Sequence, residues 1–469
     1  VVAHGSSAAE PACDYCLKVD AEGLAPGRRY FYRFEALGQQ SMVGRTRTLP
    51  ADGVERLAFA VASCSNYPAG WFTAYRDIAG QDDLAAVVHL GDYIYEYAAD
   101  GYASHRSQEF GRVSVPGHEL VTLDDYRLRH AQYKSDPDSI AMHAAHPLIA
   151  VWDDHEVAND AWLSGAQNHQ PDAEGEWTIR RRNAWRAYDE WMPIRTPGLA
   201  DNGRLFRSFD FGDLASLTML DTRYFGRDLQ VDALKHMDDP EALERIRRDP
   251  SRNLLGEQQS AWLARTLGQS SGNQRWQIIG QQILVSELLL PDLSGVLDLE
   301  LTRQRLGEDR TDAVLAAGGK GLPMLWDTWD GYDAARQRFL NELDSNAASA
   351  VILTGDIHTS IAGDVFAAGG KRPTAVELVT TSISSPGFDV YLPPNEPGEL
   401  ARAFRDANPA LHWFETRKRG WLRVDLSPDR VEARWRHVDR VDQRAAPVRE
   451  ARRLASAHRE SGGLGLKSF

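Results

Sequence analysis

The sequence predicts a layered α/β (α+β) domain behind a short β segment, and three observations predict it. Four short apolar runs, Ala58 to Ala62, Val87 to Leu90, Leu148 to Trp152 and Val351 to Thr354, read as buried strands. Stretches of helical character, Thr178 to Trp191, Gln258 to Leu267 and Asp333 to Leu343, alternate with such runs. Near the end, Trp421 to Leu426 and Val431 to His437 have the pattern of a closing β-hairpin. At 469 residues the chain can bury one large core beside a small one.

In chain order, residues 17 to 49 alternate in a β manner around the turn Gly23-Leu24-Ala25-Pro26-Gly27, with Tyr30, Tyr32 and Phe34 on alternate positions. They read as the last strands of a small β-sandwich that lacks its first strands, a partial domain over residues 1–50. Pro50-Ala51-Asp52-Gly53 is the expected linker, residues 54–450 the main domain and 451–469 a C-terminal tail. Two stretches, about 98 to 123 and 289 to 323, carry the Gly, Ser and Asp content of long irregular loops.

Composition narrows the function. The 53 Lys+Arg against 67 Asp+Glu give a net charge of −14, which disfavours nucleic-acid backbones and anionic membranes. A site that handles phosphate must therefore create its own positive field, and bound cations do so directly. Cys13 and Cys16 form a Cys-x-x-Cys without the second pair a structural zinc site needs, and three cysteines are no disulfide framework. No apolar stretch reaches the roughly 20 residues of a membrane helix, so no transmembrane anchor is expected. Val1-Val2-Ala3-His4-Gly5 lacks the regions of a signal peptide, so the chain is either cytosolic or relieved of its leader.

Each of the four apolar runs stops on groups that can hold a metal. Cys64 follows the first, Asp92 and Tyr95 the second, Asp153-Asp154-His155-Glu156 the third, and Asp356 and His358 the fourth. Function in open α/β sheets gathers beyond the carboxyl ends of strands. A thiolate and a phenolate favour ferric iron. The acids around His155 would repel one another unless a divalent cation joined them. Asp356 and His358, at i and i+2 of an extended segment, point to the same side, so that one could serve each metal of a pair. A mononuclear ferric-tyrosinate protein for redox or iron binding is the alternative from another class, but it gives Asp154 and Asp356 no role.

The order Gly91-Asp92-x-x-Tyr95, Trp152-Asp153-Asp154-His155-Glu156 and Gly355-Asp356-Ile357-His358 resembles the alkaline phosphatase D (PhoD-like) branch of the calcineurin-like metallophosphatases. Longer matches support it: Tyr126 to Pro137, Leu220-Asp221-Thr222-Arg223, Gly280-Gln281-Gln282, Trp329-Asp330-Gly331-Tyr332 and Thr380 to Gly387. Residues 1–50 resemble the tail of that family's fibronectin-like N-terminal domain. The resemblance implies a four-layer αββα sandwich and hydrolysis of phosphate mono- and diesters at a two-metal centre of Fe3+ and Ca2+. Cys64, Asp92, Tyr95 and His358 would hold iron. Asp92 would bridge to a second metal on Asp154 and Asp356, with Gln282, or else Gln281, as an amide ligand suited to calcium. His155 would donate a proton to the leaving alkoxide, bind a phosphate oxygen or orient a ligand. Arg223 would clamp phosphate or pair with Asp221. The resemblance further implies small phosphoester substrates, with a phospholipase D-like activity on phospholipids as the alternative, and a periplasmic or extracellular location.

Overall fold

The computed structural model describes residues 1–196, 198–236 and 239–468. Two seven-stranded sheets lie face to face. One runs, in spatial order, through Arg207–Phe211, Ala215–Met219, Trp276–Gly280, Ala350–Thr354, Ala375–Val379, Ser360–Val365 and Leu411–Glu415. The other runs through Leu466–Ser468, Val448–Ala457, Arg430–Val438, Arg419–Leu426, Leu57–Ala62, Ala86–His89 and Leu148–Ala150. In each sheet consecutive strands pair in parallel where the apolar runs lie, and antiparallel strands extend the edges.

Alternation along single strands sorts the core. Val351 and Leu353 point into the space between the sheets, whereas Ala350 and Ile352 point to the opposite face. There they meet Leu263 and Leu267 of the helix Gly256–Ser271 and Phe339, Leu340 and Leu343 of Asp333–Asn346. The second sheet is covered by Tyr75 and Ile78 of Thr73–Ala79, Tyr133 of Leu123–Lys134 and Met142 of Pro137–Ala145. The layers are helix, sheet, sheet, helix, as the resemblance implied. Between the sheets, the rings of Phe59 and Phe211 meet edge to face at 5.0 Å. The Trp435 indole donates to the Val379 carbonyl at 2.9 Å, and the Thr380 hydroxyl to that of Val61 at 3.1 Å. Hydrogen bonds and core together fix the two rows of strand ends against each other.

Two expectations change. Residues 451–469 are no tail, because Val448–Ala457 and Leu466–Ser468 extend the second sheet. The stretch 289 to 323 is largely helical, with Leu299–Leu306 capped by the Asp298 side chain and Glu308–Ala317 directly after it. Before residue 50 there are two small antiparallel ladders, Arg29–Tyr32 with Gly44–Arg47 and Glu35–Ala36 with Gln39–Gln40. They leave Phe31, Tyr32 and Phe34 exposed, in keeping with the last strands of a sandwich without its first ones. Cys13, Cys16 and Cys64 are all free thiols. Among the described residues no helix is long and apolar enough to cross a membrane.

His130, buried against Tyr188, has neither ring nitrogen hydrogen-bonded. Burial, aided by Lys134, lowers its pKa from 6.5 to about 3. Between those values the unfolded chain binds more protons, so the stability tied to this neutral ring is complete above pH 6.5 and is lost as pH falls towards 3. Urea unfolding at pH 6 and pH 5 should show His130→Leu with a shallower dependence on pH, by up to about 1.4 kcal/mol per pH unit. An unchanged slope would contradict the assignment.

Candidate metal centre

The strand ends converge. Ligand atoms of Cys64, Asp92 and His358 lie within 4.8 Å of one another, as do those of Asp92, Asp154 and His155, and those of Asp153, Asp154 and Asp356. Asp92 belongs to two sets and Asp154 to two, so the three form one continuous cluster. The backbone makes this possible by turning sharply at each strand end. Cys64, Asp92, Asp356 and His358 have φ of 61°, 52°, 63° and 53°, in the left-handed region that costs a residue with a Cβ about 1–3 kcal/mol. Gly91 must be glycine, since φ is 101° there and a Cβ would fall 2.4 Å from that of Asp153.

One carboxylate holds the turns in place. Glu156, buried, accepts from the backbone amides of Asp92 at 3.0 Å, Tyr93 at 2.6 Å and Asp153 at 2.7 Å. It ties the second strand end to the third and is consumed in doing so. The Cys64 amide donates to the Gly91 carbonyl at 3.1 Å, and that of Ser65 to Asp92 at 2.9 Å, which adds the first strand end.

On one side of Asp92 the donors are soft or aromatic. The Tyr95 hydroxyl sits 3.0 Å from Asp92 Oδ2, 3.3 Å from His358 Nε2 and 2.6 Å from the Ser385 hydroxyl. His358 Nδ1 donates to the Pro386 carbonyl at 2.8 Å, which leaves the Nε2 lone pair facing the cluster. Burial pushes this imidazole down to about 3, so it is neutral and able to ligate. Burial, reinforced by Asp92, pushes the Cys64 thiol and the Tyr95 phenol well above their usual ranges. Only a strong cation would hold either as an anion.

On the other side the donors are carboxylates. Arg223, fully buried, pairs with Asp153, with Asp327 at 2.5 Å, with Asp356 at 2.9 Å and with Asp154 at 3.4 Å. Even so, burial raises Asp153 to about 6, and holds Asp92 and Asp356 well above the carboxylate range. Asp160, whose amide donates to Asp154 at 2.6 Å, is lifted to about 7 by burial and by Asp327 and Asp154. His155 lies where the two sides meet. Its Nδ1 donates to Glu96 at 2.8 Å, and the other Glu96 oxygen accepts from the Asn159 amide and the Asn168 side chain. The rings of Tyr95 and Tyr97 pack on it at 4.2 and 5.4 Å. Burial opposes charge on His155, but Asp154, Asp92 and Glu96 outweigh it and raise its pKa well above the usual value.

Two expectations are corrected here. Gln282 does not present an oxygen to the cluster, because that atom accepts from the Thr222 amide at 3.1 Å and hydroxyl at 2.5 Å. Its nitrogen donates to the carbonyls of Trp152 and Leu220. Gln281 is likewise spent on Ile283, Thr354 and Trp329. Nor is Arg223 a free phosphate clamp: its guanidinium is spread over four carboxylates, and only its backbone amide meets Asp221. Sequence reasoning did not select Glu96, Asp160 or Asp327, and it named Asp153 among the metal-competent acids without assigning it as a ligand. Glu96 directly follows Tyr95 and Asp327 stands two residues before Trp329, so adjacency was the available signal.

The donor set fits metal ions. Asp92 Oδ1 and Asp153 Oδ2 are buried and have no hydrogen-bond partner, a costly arrangement for carboxylates unless a cation completes it. A thiol, a phenol and an imidazole on one side suit ferric iron, and clustered carboxylates on the other suit a hard divalent ion.

The family model described as PhoD-like phosphatase matches residues 59–435, four fifths of the chain. The chain belongs to the PhoD-like phosphatase family. As a PhoD-like phosphatase it is a phosphoric ester hydrolase. The model for the PhoD-like phosphatase N-terminal domain matches residues 1–50. Alkaline phosphatase D of Bacillus subtilis (strain 168) is 35% identical over 463 residues, 96% of this chain and 70% of that protein. A solved structure titled "Structure of PhoD" superposes with a TM-score of 0.81 at 32% identity, covering 99% of this chain and 81% of that one.

Replacing Arg223 leaves buried carboxylates facing one another without a counter-ion. In metal-stripped protein, Arg223→Gln should lower the free energy of urea unfolding by about 3–5 kcal/mol. A wild-type midpoint would show that Arg223 does not neutralise the cluster.

Proposed function

We propose that this phosphatase hydrolyses phosphate monoesters and diesters at a centre of two metal ions that share Asp92. Cys64, Asp92, Tyr95 and His358 would hold ferric iron. Asp92, Asp154 and Asp356, with Asp153 in place of the withdrawn glutamine, would hold a second cation, read as Ca2+. The observation that carries the reading is the position of Asp92: its carboxylate groups with Cys64 and His358 on one side and with Asp154 and His155 on the other, with one oxygen beside Tyr95 and the other buried without a partner. Bound there, the two cations would supply Lewis acidity towards the phosphate and acidify the attacking water.

The chain's own groups supply the rest. Glu96 fixes the tautomer and orientation of His155 through Nδ1, and the carboxylates of Asp154 and Asp92 favour a proton on Nε2. Held there, that proton is available to an alkoxide as it leaves phosphorus. Tyr95, Tyr97 and Tyr102 wall the imidazole with aromatic rings and limit the approach of bulk water. Arg223 acts as a positioning residue, keeping Asp153, Asp154 and Asp356 together rather than touching substrate. Small phosphoesters are the expected substrates.

Asp92→Ala should abolish hydrolysis of 4-nitrophenyl phosphate and of bis(4-nitrophenyl) phosphate, and wild-type rates in that variant would sink the two-metal reading. His155→Gln should lower kcat by about 10²–10⁴ on an alkyl phosphate, whose leaving group needs the proton, and less on a nitrophenyl ester. Equal losses on both esters would remove His155 as the acid.

A further inference from the structure

Beside the metal cluster lies a second, chemically different space. A cavity of about 350 Å³ opens between the helices Leu299–Leu306 and Glu308–Ala317, the segment 322–326 and the turn Phe388–Tyr391. Leu306, Ala313, Val314, Met324, Trp326 and Phe388 form much of its wall, and among the described residues Arg310 is the one charged side chain along it. Its size and apolar lining are those of a small-molecule site.

Both sides of this cavity grow out of segments that build the metal centre. Trp326 immediately precedes Asp327, which holds Arg223 and Arg227. Pro386, two residues before Phe388, accepts from His358 Nδ1. Tyr391, also on the wall, interacts electrostatically with Tyr102, whose hydroxyl is 3.5 Å from His358 Nδ1 and whose ring stacks 6.4 Å from His155. A phosphate on the cluster would therefore be separated from this apolar cavity by Tyr102 and Tyr391.

We propose that this cavity is a specificity subsite for an apolar group esterified to the substrate phosphate. The proposal rests on the phosphoesterase reading above and adds to it a preference for phosphoesters that carry an alkyl or aryl group. Apolar contact made in the transition state raises kcat/KM, and contact at a site two helices wide grades with the size of the group.

The test uses alkyl 4-nitrophenyl phosphodiesters from methyl to octyl, in which water displaces 4-nitrophenolate from phosphorus and the alkyl ester remains. With wild-type enzyme, kcat/KM should rise by about fourfold per methylene and level off when the cavity is full. Phenyl against cyclohexyl esters separate aryl from alkyl preference. Ala313→Phe, which fills the cavity, should abolish the rise and leave the methyl ester unchanged. Val314→Ala, which enlarges it, should move the plateau to a longer chain, and it carries the test if the filled variant does not fold. A chain-length profile that is flat in wild type, or is the same in wild type and in the folded variants, overturns the subsite. Calorimetric titration with methyl- and octylphosphonate separates the two claims. A preference for octylphosphonate that Ala313→Phe removes, without turnover of any diester, upholds the subsite and defeats the phosphoesterase reading. Turnover of the diesters with equal affinity for both phosphonates does the reverse.

Discussion

Everything at the heart of this protein follows from crowding carboxylates where water cannot reach them. Asp92, Asp153, Asp154 and Asp356 lie together, with Asp160 and Asp327 at the margin, and burial opposes ionisation of Asp92, Asp153, Asp160 and Asp356. Coulomb repulsion in such a setting is several times stronger than at the surface, so the arrangement persists only with positive charge inside it. Arg223 provides one fixed charge, His155 a second that can be exchanged. Neither reaches the free oxygen of Asp92, and that remaining demand makes the site a receptacle for cations.

The rest of the structure meets the conditions this crowding imposes. Two sheets abut so that the carboxyl ends of parallel strands from both face one another, and side-chain donors from one sheet cap backbone carbonyls of the other. At the ends themselves the backbone turns through left-handed conformations, which bring side chains from successive strands to a common point. Glu156 pins two of these turns with three backbone hydrogen bonds. Strain is concentrated where binding energy can offset it.

The sequence was most legible where position alone determines geometry. Cys64, Asp92, Asp154, Asp356 and His358 sit on or next to the ends of apolar runs, and a strand ending in a parallel sheet delivers its next residues to one edge. Tyr95 followed from the same logic one turn later. Gln282 failed because a strand end fixes where a residue lies but not which neighbours its amide will bond, and Thr222, Trp152 and Leu220 are distant in sequence. Arg223 failed for the same reason, its four partners coming from three other segments. The strand Val448–Ala457 was missed because Arg449, Glu450, Arg452 and Arg453 disguise its alternation: it lies near a sheet edge, where charge is tolerated and blunts further pairing. The segment before residue 50, expected as only part of a sandwich, leaves Phe31, Tyr32 and Phe34 exposed and matches the family's N-terminal domain.

The most direct test of the central claim is the metal content of the purified wild-type protein, measured by elemental analysis together with its visible spectrum. Two metal ions per chain are predicted, one of them iron with a charge-transfer band that disappears in Tyr95→Phe, the other a divalent ion lost selectively in Asp154→Ala. One ion per chain, or a second ion indifferent to Asp154, would contradict the account.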